Sequence, residues 1–108
     1  MRVLLDECID EELRHCFRSH VCQTCRYAGL KCLANGQLIA AAEKSGFEVL
    51  LTVDQNIPYQ QSLRGHEISV MVLQARTTKF DDPMALVPDV LTELEDLKPG
   101  QYVRIGIR

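Results

Sequence analysis

The chain has 108 residues, of which 46% are hydrophobic and 25% charged, and its formal net charge at neutral pH is −3. This length and usage are those of one globular domain with its own core, and they exclude a disordered or repetitive chain. The acidic balance gives no overall attraction for nucleic acid, so RNA or DNA would have to be held through a local basic patch or bound cations.

Three features of the sequence bear on cellular location. No apolar run approaches the roughly 20 residues needed to cross a bilayer. Residues 1–7 become acidic too early for a signal peptide. Five cysteines are an odd number in a chain without an export signal, which favours reduced thiols over a disulfide framework. We therefore expect a cytoplasmic protein.

The first predicted elements are a strand, a helix and a second strand. Arg2–Leu5 is an apolar run without alternation, which is typical of a strand covered on both faces. Asp10 is a suitable cap for a helix whose apolar residues form one stripe: Ile9, Leu13, Cys16 and Phe17. Residues 21–25 predict a second strand, and residues 27–34 a loop.

A second helix and two further strands follow in the middle of the chain. Asn35 is a good cap, and Gly46 ends the helix where a left-handed conformation is needed. Residues 48–52 and 68–73 are apolar runs that predict the third and fourth strands.

The last part of the chain predicts helix starts and a final strand. Residues 81–83, Asp-Asp-Pro, are a helix start, and Pro88 starts a helix that continues through Leu97. Residues 102–107 predict the last strand. The alternation of strands and helices predicts one α/β domain over residues 1–108, with a mostly parallel sheet of about five strands.

Acidic residues follow two of the predicted strands. Asp6 and Glu7 end the first strand, and the third strand leads to Asp54. Ligands of open parallel sheets bind beyond the carboxyl ends of the strands, where these carboxylates would form a site for a hard divalent cation. The alternative is that a strand-end Asp only caps a helix or forms a turn. For Asp6 this alternative is weaker, because Asp10 already supplies a cap.

PIN-like domains of small bacterial proteins, several of them linked to toxin–antitoxin modules, are similar to this chain. The resemblance runs from Met1 to about Leu73 and rests on three segments in the same order: residues 3–7, 35–43 and 49–56. It implies a three-layer α/β/α domain, weakly held Mg²⁺ or Mn²⁺, and metal-dependent cleavage of RNA. It also implies an antitoxin-like protein partner and a homodimer, for which residues 83–97 offer apolar surface.

The resemblance also implies site residues. Asp6 and Asp54 match acidic residues that hold the metal and act in catalysis, with Glu7 assisting catalysis and Asn56 assisting as a metal ligand. Asn56 stands where such proteins often carry Asp, and Asn35 or Gln37 occupies a position that is often acidic. Glu43 lies about two helical turns further along and is expected to point away from the rim. The acidic cluster is therefore thinned, which weakens metal binding.

Several polar residues are candidates for holding phosphate or RNA. Arg76 is the strongest because it directly follows a strand, and Asn35 and Lys31 are the other main candidates, with Arg26 and Arg64 as further ones. The alternative for each cationic side chain is an ordinary solvated surface charge.

The pair Cys22 and Cys25, with Cys32, His15 and His20 nearby, suggests zinc binding or redox chemistry. A zinc site usually has two such pairs, and a redox pair begins a helix, whereas this pair lies in a predicted strand. Structural cysteines are therefore expected. Two functional hypotheses remain, a metal-dependent endoribonuclease of the toxin type and a catalytically weakened relative that binds a protein partner.

Overall fold

A computed structural model of the chain describes residues 1–7, 9, 11–17, 20–30, 33, 35–53, 63, 65–74 and 84–106. Its strands are β1 (Arg2–Leu5), β2 (Val21–Thr24), β3 (Val49–Thr52), β4 (Ser69–Gln74) and β5 (Tyr102–Gly106). Its helices are a 3₁₀ helix (Glu11–Cys16), α1 (Asn35–Lys44) and α2 (Val87–Glu95). Each predicted strand is present, with ends that differ by about one residue.

The five strands form one sheet in the order β2-β1-β3-β4-β5, and all four pairings are parallel. The prediction of an α/β fold with a parallel sheet of about five strands is confirmed. β1 is an interior strand, and β3 holds the middle position. Val3, Leu4 and Leu5 are at most 1% exposed, so β1 is covered on both faces as its unbroken apolar run predicts.

Two apolar clusters lie on the two faces of this sheet. Alternate residues of a strand point to opposite faces, so Leu4, Leu50, Val70 and Val72 pack with residues of α1, namely Leu38, Ile39 and Ala42. The neighbouring strand residues Val3, Leu5, Val49, Leu51, Met71 and Leu73 pack with Leu13 of the 3₁₀ helix and with Val87, Val90 and Leu94 of α2. The helices therefore cover side chains from both faces.

The segment after β1 differs from its prediction. The expected helix forms as a 3₁₀ helix of six residues, in which the side chain of Arg14 donates to the carbonyl of Glu11 at 2.9 Å. Short helical pieces are commonly 3₁₀ rather than α. The apolar stripe keeps its predicted role, because Ile9, Leu13 and Phe17 are all buried. The proposed cap Asp10 lies outside the described residues.

Gly46 ends α1 as predicted, with a φ of +89°. Its N–H donates to the carbonyl of Glu43, and the N–H of Phe47 donates to that of Ala42, each at 3.0 Å. This pair of bonds is the Schellman arrangement that satisfies the last helical carbonyls. The guanidinium of Arg2 joins the same corner, since it donates to the carbonyl of Ser45 at 2.7 Å.

Helix α2 begins at Val87 with Pro88 in its first turn, as the proline predicts. Val87, Val90 and Leu94 are buried against the sheet, so this part of the apolar surface expected to support self-association is used inside the domain. The helix start predicted at residues 81–83 lies outside the described residues. Within the described residues, no helix combines the length and apolar character needed to span a membrane.

Candidate functional site

The strand order places a topological switch point, where a crevice is expected, at the carboxyl ends of β1 and β3. The chain leaves β1 for β2 on one side, and leaves β3 for β4 on the other. Connections that diverge in this way leave an opening beyond the two adjacent strands, where open α/β sheets bind their ligands. The topology therefore selects the end of β1, and with it Asp6, as the place to look for a functional site.

The carboxylate of Asp6 is fixed between β1 and β3. Its backbone N–H donates to the carbonyl of Leu51 at 2.9 Å, which extends the pairing of the two strands by one residue. The hydroxyl of Thr52, which is fully buried, donates to Asp6 Oδ2 at 2.7 Å. The N–H of Glu7 donates to Asp6 Oδ1 at 2.8 Å. Hydrogen bonds to both oxygens hold the side chain in one orientation.

A hollow of about 350 Å³ lies beside Asp6 on the side of β2. Cys25 donates its N–H to the carbonyl of Leu5 at 2.9 Å, and this bond brings the end of β2 level with the end of β1. The polar and charged side chains that line the hollow are those of Asp6, Glu7, Glu11, Thr24 and Arg26.

The charges around this hollow favour a cation. Three of the lining side chains are carboxylates and one is a guanidinium, so the acidic groups dominate. The carboxylate and hydroxyl oxygens are the ligand type that Mg²⁺ and Mn²⁺ take in proteins, so the donors present fit such an ion. No group of three His, Cys, Asp or Glu side chains placed to hold a metal occurs in the described part of the chain, which leaves out Asp54.

Of the predicted site residues, Asp6, Glu7 and Arg26 line the hollow. The others fall largely outside the described residues: Asp54, Asn56, Lys31, Arg64 and Arg76. Asn35 is the first residue of α1, and its side chain is not described.

Two residues of the site were not predicted from the sequence: Glu11, which lines the hollow, and Thr52, which is buried and donates to Asp6. Thr52 carried a usable signal, because it is the polar last residue of an apolar strand and pairs beside the Asp that ends the neighbouring strand. Glu11 carried none, since its position depends on how the 3₁₀ helix turns back over the end of β1.

Glu43 lies beside the amino end of β4, away from the rim, as expected. Its Oε2 accepts from the N–H of Glu67 at 2.7 Å and from that of Ile68 at 3.3 Å, just before β4 begins. These bonds, chiefly that from Glu67, lower the pKa of Glu43 below its ordinary value, and so does the imidazole of His66, whose Nδ1 lies 3.3 Å from Glu43 Oε2. This carboxylate connects α1 to β4 and takes no part in the crevice.

Cys16 and Cys22 are free thiols, Cys25 is buried, and the other two cysteines are outside the described residues. Cys22 packs against the cluster beneath the 3₁₀ helix, whereas Cys25 belongs to the cluster beneath α1. Burial raises the pKa of Cys22 to about 12, against a smaller lowering by Arg14, so the thiol is protonated at neutral pH. Cys22 and Cys25 thus belong to clusters on opposite faces of the sheet, an arrangement poorly suited to sharing one metal ion.

Comparisons with known proteins give no further guide to the site, since no protein-family model, no curated protein and no solved structure matches the chain.

Proposed function

We propose that this protein is a PIN-like ribonuclease that hydrolyses RNA phosphodiester bonds with Mg²⁺ or Mn²⁺. The observation that carries the proposal is the position of Asp6, at the opening between β1 and β3 with both carboxylate oxygens held by hydrogen bonds. A carboxylate fixed in this way is ready to bind a cation without first being ordered.

Features of the fold support the three-layer part of the proposal, whereas its PIN-like part rests on the sequence resemblance. All five strands are parallel, and two apolar clusters draw on α1 at one face and on the 3₁₀ helix and α2 at the other. A sheet with helices on both faces is the usual setting for parallel strands.

The proposed chemistry divides the work among a few side chains. Asp6 and Asp54 hold the metal, with Asn56 as a weaker ligand, and Glu7 at the rim assists proton transfer. The bound ion supplies a Lewis acid that activates a water molecule and stabilises the leaving oxygen. Thr52 keeps the Asp6 carboxylate oriented, and a cationic side chain at the rim, Arg26 or the predicted Arg76, steadies the phosphate.

The proposed biological setting is that of a cytoplasmic, self-associating toxin held by an antitoxin-like partner. It rests on the resemblance in residues 3–7, 35–43 and 49–56 and on the acidic net charge of −3, which suits a basic partner.

The proposal is tested by RNA cleavage. Purified protein is incubated with a labelled single-stranded RNA in Mn²⁺ or in EDTA, and Asp6→Asn is compared with Glu93→Gln, the same loss of charge at an exposed position of α2. We expect cleavage in Mn²⁺ by wild type and Glu93→Gln, and none by Asp6→Asn or in EDTA. Cleavage that survives in Asp6→Asn would exclude this centre as its source.

The second candidate is a protein-binding module that has lost catalysis. It is favoured by the amides Asn35 and Asn56 at positions where related domains often carry acids. Stable folding without cleavage under any metal condition would select this candidate.

A further inference from the structure

A second hollow, of about 470 Å³, continues from the rim along the outer side of β2. It shares Glu11, Thr24 and Arg26 with the hollow beside Asp6, so the two form one groove that leads away from the crevice. We call this the β2 groove. β2 is an edge strand of the sheet, and two residues that line the groove are exposed, Val21 at 52% and Tyr27 at 79%.

Charge changes sign along this groove. The end next to Asp6 is lined by three carboxylates and one guanidinium, whereas the outer hollow is lined by one carboxylate, that of Glu11, and two guanidinium groups, those of Arg14 and Arg26. Arg26 lines both hollows and so stands at the boundary. A phosphate next to one held at the acidic rim through a metal would meet cationic side chains in this direction.

Tyr27 gives the outer hollow an aromatic wall. Its side chain is 79% exposed, so the ring contributes little to the packing of the domain. Two hydrogen bonds to Thr24 hold the turn that carries this ring. The N–H of Tyr27 donates to Thr24 Oγ1 at 3.1 Å, and the N–H of Ala28 donates to the carbonyl of Thr24 at 3.0 Å. An exposed ring on a fixed turn beside cationic side chains is the arrangement that single-stranded nucleic acid uses, with bases stacked on the ring.

We propose that the β2 groove is the subsite for the nucleotide adjoining the cleaved bond, with Arg26 binding its phosphate and Tyr27 stacking its base. The inference rests on the proposed ribonuclease function; it adds Tyr27 to the site and assigns Arg26 to the phosphate of the adjoining nucleotide, which leaves the reacting phosphate to Arg76. Stacking requires a base that is free of a duplex, so the groove selects RNA whose bases are unpaired at this position. Stacking is also tolerant of base identity, so the groove contributes affinity without strict sequence preference.

The test is binding without metal, so that neither cleavage nor Asp6 enters the measurement. A fluorescein-labelled oligouridylate of about ten nucleotides and a duplex of equal length are titrated in EDTA, with fluorescence anisotropy as the readout. Wild type is compared with Tyr27→Ala, Tyr27→Phe and Arg26→Gln. Arg104→Gln is the matched control, because Arg104 is exposed on β5 at the opposite edge of the sheet.

We expect Tyr27→Ala to weaken single-strand binding at least about fivefold, which corresponds to the lower limit of the affinity lost when one base no longer stacks on an aromatic ring. Tyr27→Phe keeps the ring and should bind as wild type does. Arg26→Gln should reduce the slope of log affinity against log salt by about 0.7, the value for one phosphate contact on a single strand. Arg104→Gln should change neither quantity, and the duplex should bind more weakly than the single strand.

The inference is overturned if wild type does not bind the oligonucleotide, if it binds the duplex equally well, or if Tyr27→Ala and Arg26→Gln bind as wild type does. It fails separately from the proposed function. Cleavage that depends on Asp6 but keeps its KM in Tyr27→Ala rejects the groove alone. Binding that depends on Tyr27, in a protein that never cleaves RNA, supports the groove and rejects the ribonuclease.

Discussion

Replacing Thr52 by Val removes the hydroxyl that holds Asp6 and leaves the shape of the side chain almost unchanged. The Thr52 hydroxyl is fully buried and donates to Asp6 Oδ2 at 2.7 Å. A hydrogen bond to a charged group contributes about 1.5–3 kcal/mol to stability. Asp6 is only half-buried, so we expect a loss at the lower end, about 1–2 kcal/mol. For a domain of this size that loss lowers the Tm by roughly 5–10 °C.

The assay is thermal and urea unfolding of Thr52→Val beside Thr92→Val. Thr92 is an exposed threonine of α2 whose hydroxyl donates to the carbonyl of Pro88, so its replacement should change the stability by no more than about 0.5 kcal/mol. A double-mutant cycle with Asp6→Ala then isolates the pair, with an expected coupling of about 1 kcal/mol. The view that Thr52 orients the carboxylate would be refuted if Thr52→Val left the free energy of unfolding unchanged. It would also be refuted if Thr52→Val lowered that free energy equally in wild type and in Asp6→Ala.

Two further predictions concern the amino ends of the strands, away from the rim. The lowered pKa of Glu43 means that its contribution to stability is present above its ordinary pKa of 4.5 and is lost as the pH falls through the folded value. Urea unfolding of wild type and Glu43→Gln should therefore differ at neutral pH and converge in acid; a constant difference would contradict the hydrogen bonds assigned to the carboxylate. Gly46→Ala should cost about 1–2 kcal/mol in the same assay, because Gly46 has a φ of +89° and an added methyl group would meet the guanidinium of Arg2. A neutral Gly46→Ala would mean that this corner relaxes freely.

The strands could be predicted because a strand that is buried on both faces requires apolar residues at successive positions. A strand of a parallel sheet is covered on both faces and consists of an unbroken apolar run, as residues 3–5, 49–51 and 70–73 do. Gly46 and Pro88 were equally informative, since each has a backbone preference that fits one position of a helix.

The groove was less predictable because it depends on relations between elements. The order of the strands in the sheet cannot be predicted from the sequence of any single segment. That order makes β2 an edge strand and places the switch point between β1 and β3. The 3₁₀ form of residues 11–16 also decides where Glu11 and Arg14 lie. The spacing of apolar residues predicted the buried stripe of this segment, but it did not predict where the polar side chains of Glu11 and Arg14 would lie. Arg26 was a candidate from its charge, but Tyr27 gains its role only from the turn that exposes it.

Metal-dependent stabilisation tests the central claim, that Asp6 belongs to a metal centre, most directly. Melting curves are recorded for wild type, Asp6→Asn and Glu93→Gln with EDTA and with millimolar Mn²⁺. Ligand at about ten times its dissociation constant stabilises a protein by roughly 1.4 kcal/mol. We predict that Mn²⁺ raises the Tm of wild type and Glu93→Gln by several degrees and leaves Asp6→Asn unchanged. A wild type without a metal-dependent shift, or an Asp6→Asn variant with the same shift, would contradict the account.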